Sequence, residues 1–573
     1  MPMKTKLCDF LNQYEQNIKK ESFILRNQSL PPLTEELFSQ FEVTGNRLQY
    51  ESVYFYRRKF LVVYAMAVFL WRKQEDIQKL EEVLYEICDE KCWALPAHVN
   101  RVNNKSWDHT VDLFASETAQ SLAEISSLLD GDLSVQIKDL VKQQVINRVI
   151  VPFFQTKKGS YQWETLENNW SAVCAGSIGS ACIYLLNDNV SQLNPYLKRI
   201  INVFEHYLNG FTPDGACPEG LGYYTYGMTY FIGFADQLYD YTDGNIDLLL
   251  SDKLEQIATF QQKCYFPSGL TVSFSDGNPN EKFRLGLTCY LAEKYKHAAI
   301  PDLKSAMTLY DDSCYRWMGI YRDYIWTKNY LEQCSGQKTV PVKCEVLPDA
   351  QIAVFKSQNG TGLYAKGGNN GESHNHNDVG SFSYIYDKYV FLEDLGAGEY
   401  TKDYFGDKRY DILCNNSLGH NVPVINGQLQ KPGSEYRCDN FQADPQGNIF
   451  ISYGGAYGNS FIKSVVRKIS VNPKNGSVEI CDSFCGKMNA IQVTENLITS
   501  YKPVITGNQI YLDTGSAFCR ILVLNYFGKI KVIDKIHTDH SGKPQTVWLI
   551  QWDLKVTGEC TECEFHLTSG TKL

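Results

Sequence analysis

The side chains best suited to chemistry are concentrated in the stretch Glu372-Ser-His-Asn-His-Asn-Asp-Val-Gly-Ser-Phe382. One residue separates His374 from His376, and an alternating apolar run follows, so a strand beginning there would place both imidazoles on one face. Asp394 ends a second strand-like run, and His420 follows a loop. Two imidazoles and a carboxylate suit zinc and leave a further position for water. Each histidine alone could simply satisfy a turn, but their grouping favours a site.

Further motifs follow this stretch in order. They are Asp-x-Gly-x-x-x-Tyr from Asp394 to Tyr400, Arg409-Tyr410, Ser-x-x-His-Asn from Ser417 to Asn421, and Ile-Asn-Gly at 425–427. Together with His-x-His-Asn-Asp-x-Gly-Ser-Phe, the pattern resembles the heparinase II/III-like polysaccharide lyase family. The resemblance implies an (α/α) toroid followed by an antiparallel β-sandwich. It also implies a lyase that cleaves glycans containing uronic acids by β-elimination.

Two upstream motifs extend the resemblance over most of the chain. Glu167-Asn-Asn-Trp170 resembles a paired-asparagine element of the family, and the stretch Glu219 to Tyr226 resembles its Glu-Gly-x-x-Tyr-x-x-Tyr element. Taken alone, paired asparagines are also common helix caps, and tyrosine clusters are usually core packing. Trp170 stands where several family members have histidine, which favours the heparan-sulfate-lyase-like branch over the alginate-lyase-like branch.

The resemblance further implies a role for each site residue. β-Elimination removes the C5 proton of a uronic acid, so negative charge builds on the sugar carboxylate and must be stabilised by placed donors. Asn169 is the implied neutraliser of that carboxylate, Tyr223 the acid and base, and His374 its partner. Tyr226, one helical turn on, is the alternative to Tyr223. The implied zinc ligands, which would support the site and orient His374, are His376, Asp394 and His420.

Other polar and aromatic side chains are candidates for contact with the sugar. Arg409 offers a bidentate fork to a carboxylate or sulfate, although a surface ion pair would give the same sequence signal. Trp93 and His98 lie in a loop-like stretch between helices, where packing and substrate stacking are both open. The substrate-binding candidates are Trp93, His98, Trp170, Glu219, Arg409 and Tyr410.

Composition narrows the class of protein. A chain of 573 residues exceeds what one hydrophobic core usually supports, so two or more domains are expected. The net charge of −10 argues against nucleic acid as a partner. It suits a small acidic oligosaccharide held by local cations better than a long polyanion, which favours exolytic action.

Targeting signals and cysteines point to the compartment. The N-terminal residues lack an apolar core of signal-peptide length, and the longest apolar run, Phe60 to Trp71, is too short to span a bilayer. The 18 cysteines are spread along the chain, and close pairs such as Cys560 and Cys563 have no second pair at zinc-site spacing. We therefore expect a cytoplasmic protein with reduced thiols and no membrane partner.

The first part of the chain has helical periodicity. Apolar residues recur at three- and four-residue spacing in segments separated by short Asn, Asp, Gly or Pro breaks. Successive helical hairpins without intervening strands suit a helical toroid, and residues 1–335 are predicted as this domain. The predicted helical segments are Ser121–Leu129, Ala172–Leu186, Leu197–Tyr207, Tyr230–Leu238 and Leu254–Gln262.

From Gln351 onward the chain alternates apolar and polar residues between turn signals. Val465–Val471 and Ser477–Cys481 flank an Asn-Gly turn and predict a β-hairpin. Asp444–Gly447 and Asp513–Gly515 indicate further turns. Residues 336–573 are therefore predicted as a β-sandwich, with the boundary in the Pro- and Gly-containing segment that follows Cys334.

Several functions remain open at this stage. A uronyl C5-epimerase would abstract the same proton, and a non-catalytic carbohydrate-binding protein could share the fold. Glycoside hydrolysis by Asp214 and Glu219 is less favoured, because capping explains a Glu-Gly motif equally well. The substrate could be heparan sulfate, chondroitin, hyaluronan or an alginate oligosaccharide. We expect zinc, no organic cofactor, an acidic glycan as partner, and a monomer or homodimer.

Overall fold

The computed structural model describes residues 3–333, 340, 342–458, 462–487, 491–556 and 560–572. The chain divides into two compact units. Unit 1 comprises Met1–Phe211, Tyr223–Ala258 and Lys282–Lys338, and unit 2 comprises Thr212–Gly222, Thr259–Glu281 and Thr339–Leu573. Two segments from the helical part of the sequence thus belong to unit 2, which a single boundary at residue 335 does not capture. That predicted boundary lies at residues 334–339, outside the described residues.

Helices make up almost all the regular structure of unit 1. Each predicted helical segment lies in a helix to within one residue, which confirms the periodicity argument. In chain order the helices are α1 (Met3–Leu25), α2 (Glu35–Thr44), α3 (Leu48–Trp71), α4 (Gln74–Cys88), α5 (Leu113–Leu128), α6 (Val135–Val145), α7 (Val151–Gln155), α8 (Asn169–Leu186), α9 (Val190–Asn209), α10 (Leu221–Tyr241), α11 (Asp252–Cys264), α12 (Leu285–Lys294) and α13 (Trp317–Gln333).

Helix α8 is the core helix that carries Asn169 as its first residue. Its small residues allow close packing on α10, since a Cβ added at Gly176 would lie 2.6 Å from the carbonyl oxygen of Tyr230. The Asn168 side chain caps the helix by accepting from the backbone N–H of Trp170 at 3.1 Å. Its length and composition would allow α8 to cross a bilayer, but 89% of it is buried inside the protein. This burial is what a core helix requires.

Unit 2 contains the antiparallel sheets. The strands are β1 (Glu345–Leu347), β2 (Ile352–Lys356), β3 (Thr361–Lys366), β4 (Asn369–Asn370), β5 (Phe382–Tyr386), β6 (Tyr389–Leu392), β7 (Val424–Ile425), β8 (Gly433–Arg437), β9 (Asn440–Ala443), β10 (Asn448–Ser452), β11 (Ile462–Val471), β12 (Val478–Gly486), β13 (Ile491–Thr499), β14 (Val504–Thr506), β15 (Gln509–Asp513), β16 (Ala517–Val523), β17 (Phe527–Thr538), β18 (Pro544–Val556) and β19 (Thr561–Thr571).

These strands form sheets of five strands (β1-β2-β3-β5-β6), eight strands (β14-β15-β16-β19-β12-β11-β10-β9), four strands (β17-β18-β13-β7) and two strands (β4-β8). The predicted hairpin is confirmed, because β11 and β12 pair antiparallel up to Val471 opposite Val478. The turns predicted at Asp444–Gly447 and Asp513–Gly515 join β9 to β10 and β15 to β16. Alternating residues of the larger sheets build the core of unit 2.

One buried cation links the sheets to the loops that carry the histidines. Arg467 on β11 pairs with Asp482 on β12, with Nε 2.8 Å from Oδ1. Its Nη1 donates to the carbonyl oxygens of Gly380 at 2.8 Å and Asn421 at 2.6 Å. A fully buried guanidinium is stable only with such partners, so it holds both loops against the core.

A disulfide joins Cys485 to Cys560, which corrects the expectation that all thiols are reduced. The cause is tertiary: β12 pairs with β19 so that Phe484 lies opposite Thr561, and the two cysteines are their neighbours. Cys563, the other half of the predicted CxxC, instead lies buried with Sγ 3.3 Å from Nε1 of Trp552. The other cysteines among the described residues are free thiols.

Two buried lysines on neighbouring strands are expected to affect stability in opposite directions. Burial lowers the pKa of Lys356 to about 8, and its Nζ has the carbonyl oxygen of Gln262 at 3.0 Å. Burial also acts against the charge of Lys366, but Asp378 and Glu372 raise its pKa, with Asp378 Oδ1 at 3.0 Å. Below pH 8 the buried charge of Lys356 therefore destabilises the folded protein, whereas the buried charge of Lys366 is balanced by its two carboxylate partners.

We expect Lys356→Met to raise the free energy of unfolding at pH 7 by about 1–3 kcal/mol. Because the folded pKa of Lys356 lies below that of an unfolded lysine, wild-type stability should rise with pH between about 8 and 10, and the variant should lose this rise. Lys366→Met should instead cost roughly 3–5 kcal/mol, since it leaves buried carboxylates unpaired. Urea unfolding followed by tryptophan fluorescence at pH 7 and pH 10 measures the free energy of unfolding of both variants. Changes of the same sign at pH 7 in Lys356→Met and Lys366→Met would contradict the prediction.

Candidate functional site

The two histidines lie on a loop rather than on a strand. We call residues 371–381 the histidine loop; β5 begins only at Phe382, and His374 has a left-handed φ of 56°. The expectation of one strand face carrying both imidazoles is therefore wrong. Short polar side chains explain the loop, because they hydrogen-bond backbone groups that a β-ladder would otherwise use. Asn375 Nδ2, for example, donates to the carbonyl oxygen of Asn370 at 2.7 Å.

Arg409 and Tyr410 support this loop. Arg409 Nη2 donates to the carbonyl oxygen of Asn375 at 2.9 Å, and Tyr410 Oη donates to Asn375 Oδ1 at 3.1 Å. The guanidinium of Arg409 also lies 4.6 Å from the ring centroid of Tyr404. Both residues thus hold the loop in place, and direct binding of a sugar by either residue stays a prediction.

Asp276 brings the two histidines together, and sequence reasoning missed it. His374 Nδ1 lies 2.7 Å from Asp276 Oδ2, and His376 Nε2 lies 3.0 Å from Asp276 Oδ1. Tyr400 Oη donates to Oδ2 at 2.7 Å, and Tyr404 Oη donates to Oδ1. Burial alone would raise the pKa of Asp276, but the hydrogen bonds from the two histidines hold it well below its usual range. The carboxylate is therefore ionised and fully engaged.

A second carboxylate lies on the far side of His374. Glu219 Oε1 is 3.6 Å from His374 Nε2, and the two side chains are 5% and 15% exposed. The imidazole thus has Asp276 at one nitrogen and Glu219 beyond the other. Glu219, which the sequence predicts as a substrate-binding residue, thus lies beside His374.

The predicted ligand set His376, Asp394 and His420 comes together in the interior. One potential ligand atom from each lies within 4.8 Å of the others. His420 Nδ1 is 3.2 Å from Asp394 Oδ2, and His376 Nδ1 is 4.0 Å from Asp394 Oδ1. Burial opposes the charges, but each partner stabilises the other: the pKa of Asp394 is lowered by His420, and that of His420 is raised by Asp394.

The remaining nitrogens of these histidines are already bound, which fixes the direction of the inward-facing atoms. His376 Nε2 bonds Asp276, and His420 Nε2 donates to the carbonyl oxygen of Cys414 at 2.8 Å. Within the described part of the chain, His376 Nδ1, Asp394 Oδ2 and His420 Nδ1 are buried without an aligned hydrogen-bond partner. Outer-shell partners that orient two imidazoles towards a carboxylate are what a metal site requires. The three residues therefore fit a metal ion.

Unit 1 holds the other predicted site residues. Asn169 is 1% exposed at the start of α8. Trp170 beside it meets His98, with ring centroids 4.8 Å apart, and His98 Nδ1 lies 2.7 Å from Asp112 Oδ2. The structure thus brings together two candidates from distant parts of the sequence, next to Asn169. Their role in binding substrate stays a prediction.

Tyr226, one of the two candidate tyrosines, is bound to a buried carboxylate. Tyr226 Oη donates to Glu117, and Arg316 lies over its ring at 4.3 Å from the centroid. Burial and the charge of Glu117 raise the pKa of Tyr226 well above its usual range, although Arg316 opposes this. Tyr226 is therefore a poor proton donor and acceptor. The choice of Tyr223 as the acid and base stays a prediction.

Trp93 is a core residue, which corrects its prediction as a substrate-binding residue. It is 1% exposed, and its Nε1 donates to the carbonyl oxygen of Ile87 at 2.9 Å. Arg148 covers the ring at 5.0 Å from its centroid. Packing, the alternative left open above, accounts for this residue.

Comparison with known proteins bears on the fold. No family model and no curated protein matches the chain. Among solved structures, a heparinase III crystal structure matches 100% of this chain and 92% of its own, at 14% identity and a TM-score of 0.67. A mutant heparan sulfate lyase from Pedobacter heparinus matches 100% and 90%, at 14% identity and a TM-score of 0.59. The chain has the fold of these lyases.

A chondroitin AC lyase of Streptomyces coelicolor A3, solved with chondroitin sulphate, also matches. The match covers 98% of this chain and 83% of that one, at 10% identity and a TM-score of 0.54. Together these matches confirm the predicted fold class, an (α/α) toroid followed by an antiparallel β-sandwich. At such identities the likeness shows the fold alone, so activity must be argued from the residues.

Proposed function

We propose that this protein is a polysaccharide lyase that cleaves uronic-acid-containing glycans by β-elimination. The observation that carries the proposal is the orientation of His374 by a buried, ionised Asp276 beside the His376, Asp394 and His420 set. A histidine held in this way suits proton transfer, because its geometry and tautomer are set before substrate arrives. The matched structures are named as lyases of heparan sulfate and chondroitin, which makes a glycosaminoglycan the proposed substrate class.

The proposed chemistry assigns one task to each residue. The C5 proton leaves to a base, the electron pair forms the C4=C5 double bond, and the C4–O bond breaks as the glycosidic oxygen gains a proton. Tyr223 transfers the proton with His374 as its partner, and Asn169 donates to the uronate carboxylate as charge builds there. The product carries a 4,5-unsaturated uronate end. Burial of Asn169 favours this role, since a hydrogen bond is stronger away from water.

The metal site is proposed as a zinc site that supports this chemistry. His376, Asp394 and His420 would hold the ion, whose charge would stabilise the buried carboxylate and order the loops around it. Its ligands would not contact the sugar. Glu219 beside His374, and His98 with Trp170, are proposed to line the substrate site. The acidic net charge of −10 favours exolytic action on short oligosaccharides, with local cations supplying the attraction.

The test is near-ultraviolet absorbance of purified protein with heparan sulfate, chondroitin, hyaluronan and alginate oligosaccharides. A conjugated unsaturated uronate absorbs there, so a rise with one substrate would establish the reaction and name its class. A flat trace over the whole panel would reject a lyase of these glycans. Solvent deuterium at C5 without new absorbance would instead identify a C5-epimerase, which abstracts the same proton.

A further inference from the structure

We propose that Asp276 is a positioning residue that couples the metal site to the catalytic histidine. The inference rests on the proposed function for the role of His374, but its geometry is independent of substrate. Nothing in the sequence motifs includes Asp276, which lies 98 residues before His374 in the chain. Its side chain is nevertheless fully buried and contacts both histidines of the His-x-His motif.

The two oxygens of this carboxylate have parallel sets of partners. Oδ2 takes His374 Nδ1 at 2.7 Å and the hydroxyl of Tyr400 at 2.7 Å. Oδ1 takes His376 Nε2 at 3.0 Å and the hydroxyl of Tyr404. Each oxygen therefore serves one histidine and one tyrosine. One planar carboxylate therefore orients both histidines, one at each oxygen.

At Oδ2 the consequence is a defined tautomer of His374. A carboxylate oxygen can only accept, so Nδ1 carries the hydrogen and the ring's lone pair lies on Nε2. At Oδ1 the same rule gives His376 a hydrogen on Nε2 and directs its Nδ1 towards Asp394 and His420. One residue thus determines which nitrogen of His374 is available for chemistry and which nitrogen of His376 is available to a metal.

The backbone around this carboxylate is held in an uncommon conformation. Ser275 and His374 both have left-handed φ values, 62° and 56°, which side-chain-bearing residues seldom adopt. Ser275 Oγ donates to the carbonyl oxygen of Pro218 at 3.1 Å, which ties the Asp276 segment to the one that carries Glu219. Such outliers persist when surrounding contacts over-determine them, and they concentrate at functional sites.

The first test uses Asp276→Asn, which keeps the shape and removes the charge. We expect zinc affinity to fall about 10–100-fold, as for other lost outer-shell partners. We expect kcat at saturating zinc to fall roughly 10²-fold, with KM changed less than about 3-fold, because His374 is present but misdirected. Recovery of wild-type kcat on adding zinc would overturn the coupling, since Asp276 would then serve the metal alone.

Two milder variants test each oxygen separately and keep the proposal falsifiable if Asp276→Asn fails to fold. Tyr404→Phe removes the second donor at Oδ1 and should mainly weaken zinc binding. Tyr400→Phe removes the second donor at Oδ2 and should mainly lower kcat. Asp323→Asn is the matched control, since it alters another buried carboxylate, one in unit 1 that contacts Arg284 and neither histidine. Equal effects of the two tyrosine variants on zinc affinity and kcat would overturn the division between oxygens.

A readout without substrate separates this inference from the proposed function. Nitrogen-15 spectra of the zinc-bound protein, with His374 assigned through His374→Gln, report which ring nitrogen carries hydrogen. We expect one Nδ1–H signal in wild type and in Asp323→Asn, and a mixture of tautomers in Asp276→Asn. An unchanged spectrum would overturn the inference even if the protein is a lyase. A lyase assay that fails in wild type while these shifts appear would reject the proposed function alone.

Discussion

Tyr223→Phe is expected to lower kcat for the responding glycan by roughly 10³-fold, with KM changed only a few-fold. The substitution removes one hydroxyl that would transfer the C5 proton and leaves the ring to pack as before. Tyr226→Phe, at the next turn of α10, is the matched control. It should retain activity within about 3-fold but lose about 1–3 kcal/mol of stability, because buried Glu117 loses a hydrogen-bond donor.

Initial rates of ultraviolet absorbance at several substrate concentrations separate kcat from KM for both variants, and urea unfolding gives their stabilities. His374→Ala belongs in the same series and should match the loss in Tyr223→Phe. The double variant should be little worse than either single one if the residues act in one proton transfer. The assignment fails if Tyr226→Phe is the inactive variant and Tyr223→Phe is active.

His420→Ala is expected to have the largest effect on stability. It removes a metal ligand and leaves Asp394 buried with fewer partners, so we expect a loss of roughly 3–5 kcal/mol. The zinc content should fall from one ion per chain towards none. Chelation of wild type should lower its thermal midpoint towards that of the variant, because an ion bound only to the folded state stabilises it.

Elemental analysis and scanning calorimetry with and without added zinc measure these effects. His98→Ala is the control, because His98 also pairs with a carboxylate, Asp112, but lies in unit 1 outside the ligand set. It should keep its zinc and its response to chelator. If His420→Ala keeps its full zinc content, this ligand set is wrong. If neither zinc nor chelator changes the thermal midpoint of wild type, the metal does not stabilise the fold.

Much of the fold was predictable because it depends on local periodicity. Apolar residues at three- and four-residue spacing predicted α5 and α8 to α11. Alternation between the Asn-Gly turn and the turns at Asp444–Gly447 and Asp513–Gly515 predicted the hairpins of unit 2. The histidine loop is the exception. A strand beginning at the histidines was expected, but β5 begins only at Phe382. Short polar side chains in the loop hydrogen-bond the backbone groups that strand pairing would need.

The sequence by itself determined the succession of helices and strands, since residue type and order carry that information, and its family resemblance pointed to His376, Asp394 and His420 as a candidate ligand set. Only the tertiary structure showed that Asp276 joins His374 to His376, that Tyr226 is bound to Glu117, and that Cys485 pairs with Cys560. These are contacts between residues 75 to 109 positions apart. No local pattern encodes them, because packing of the whole unit decides which distant side chains meet.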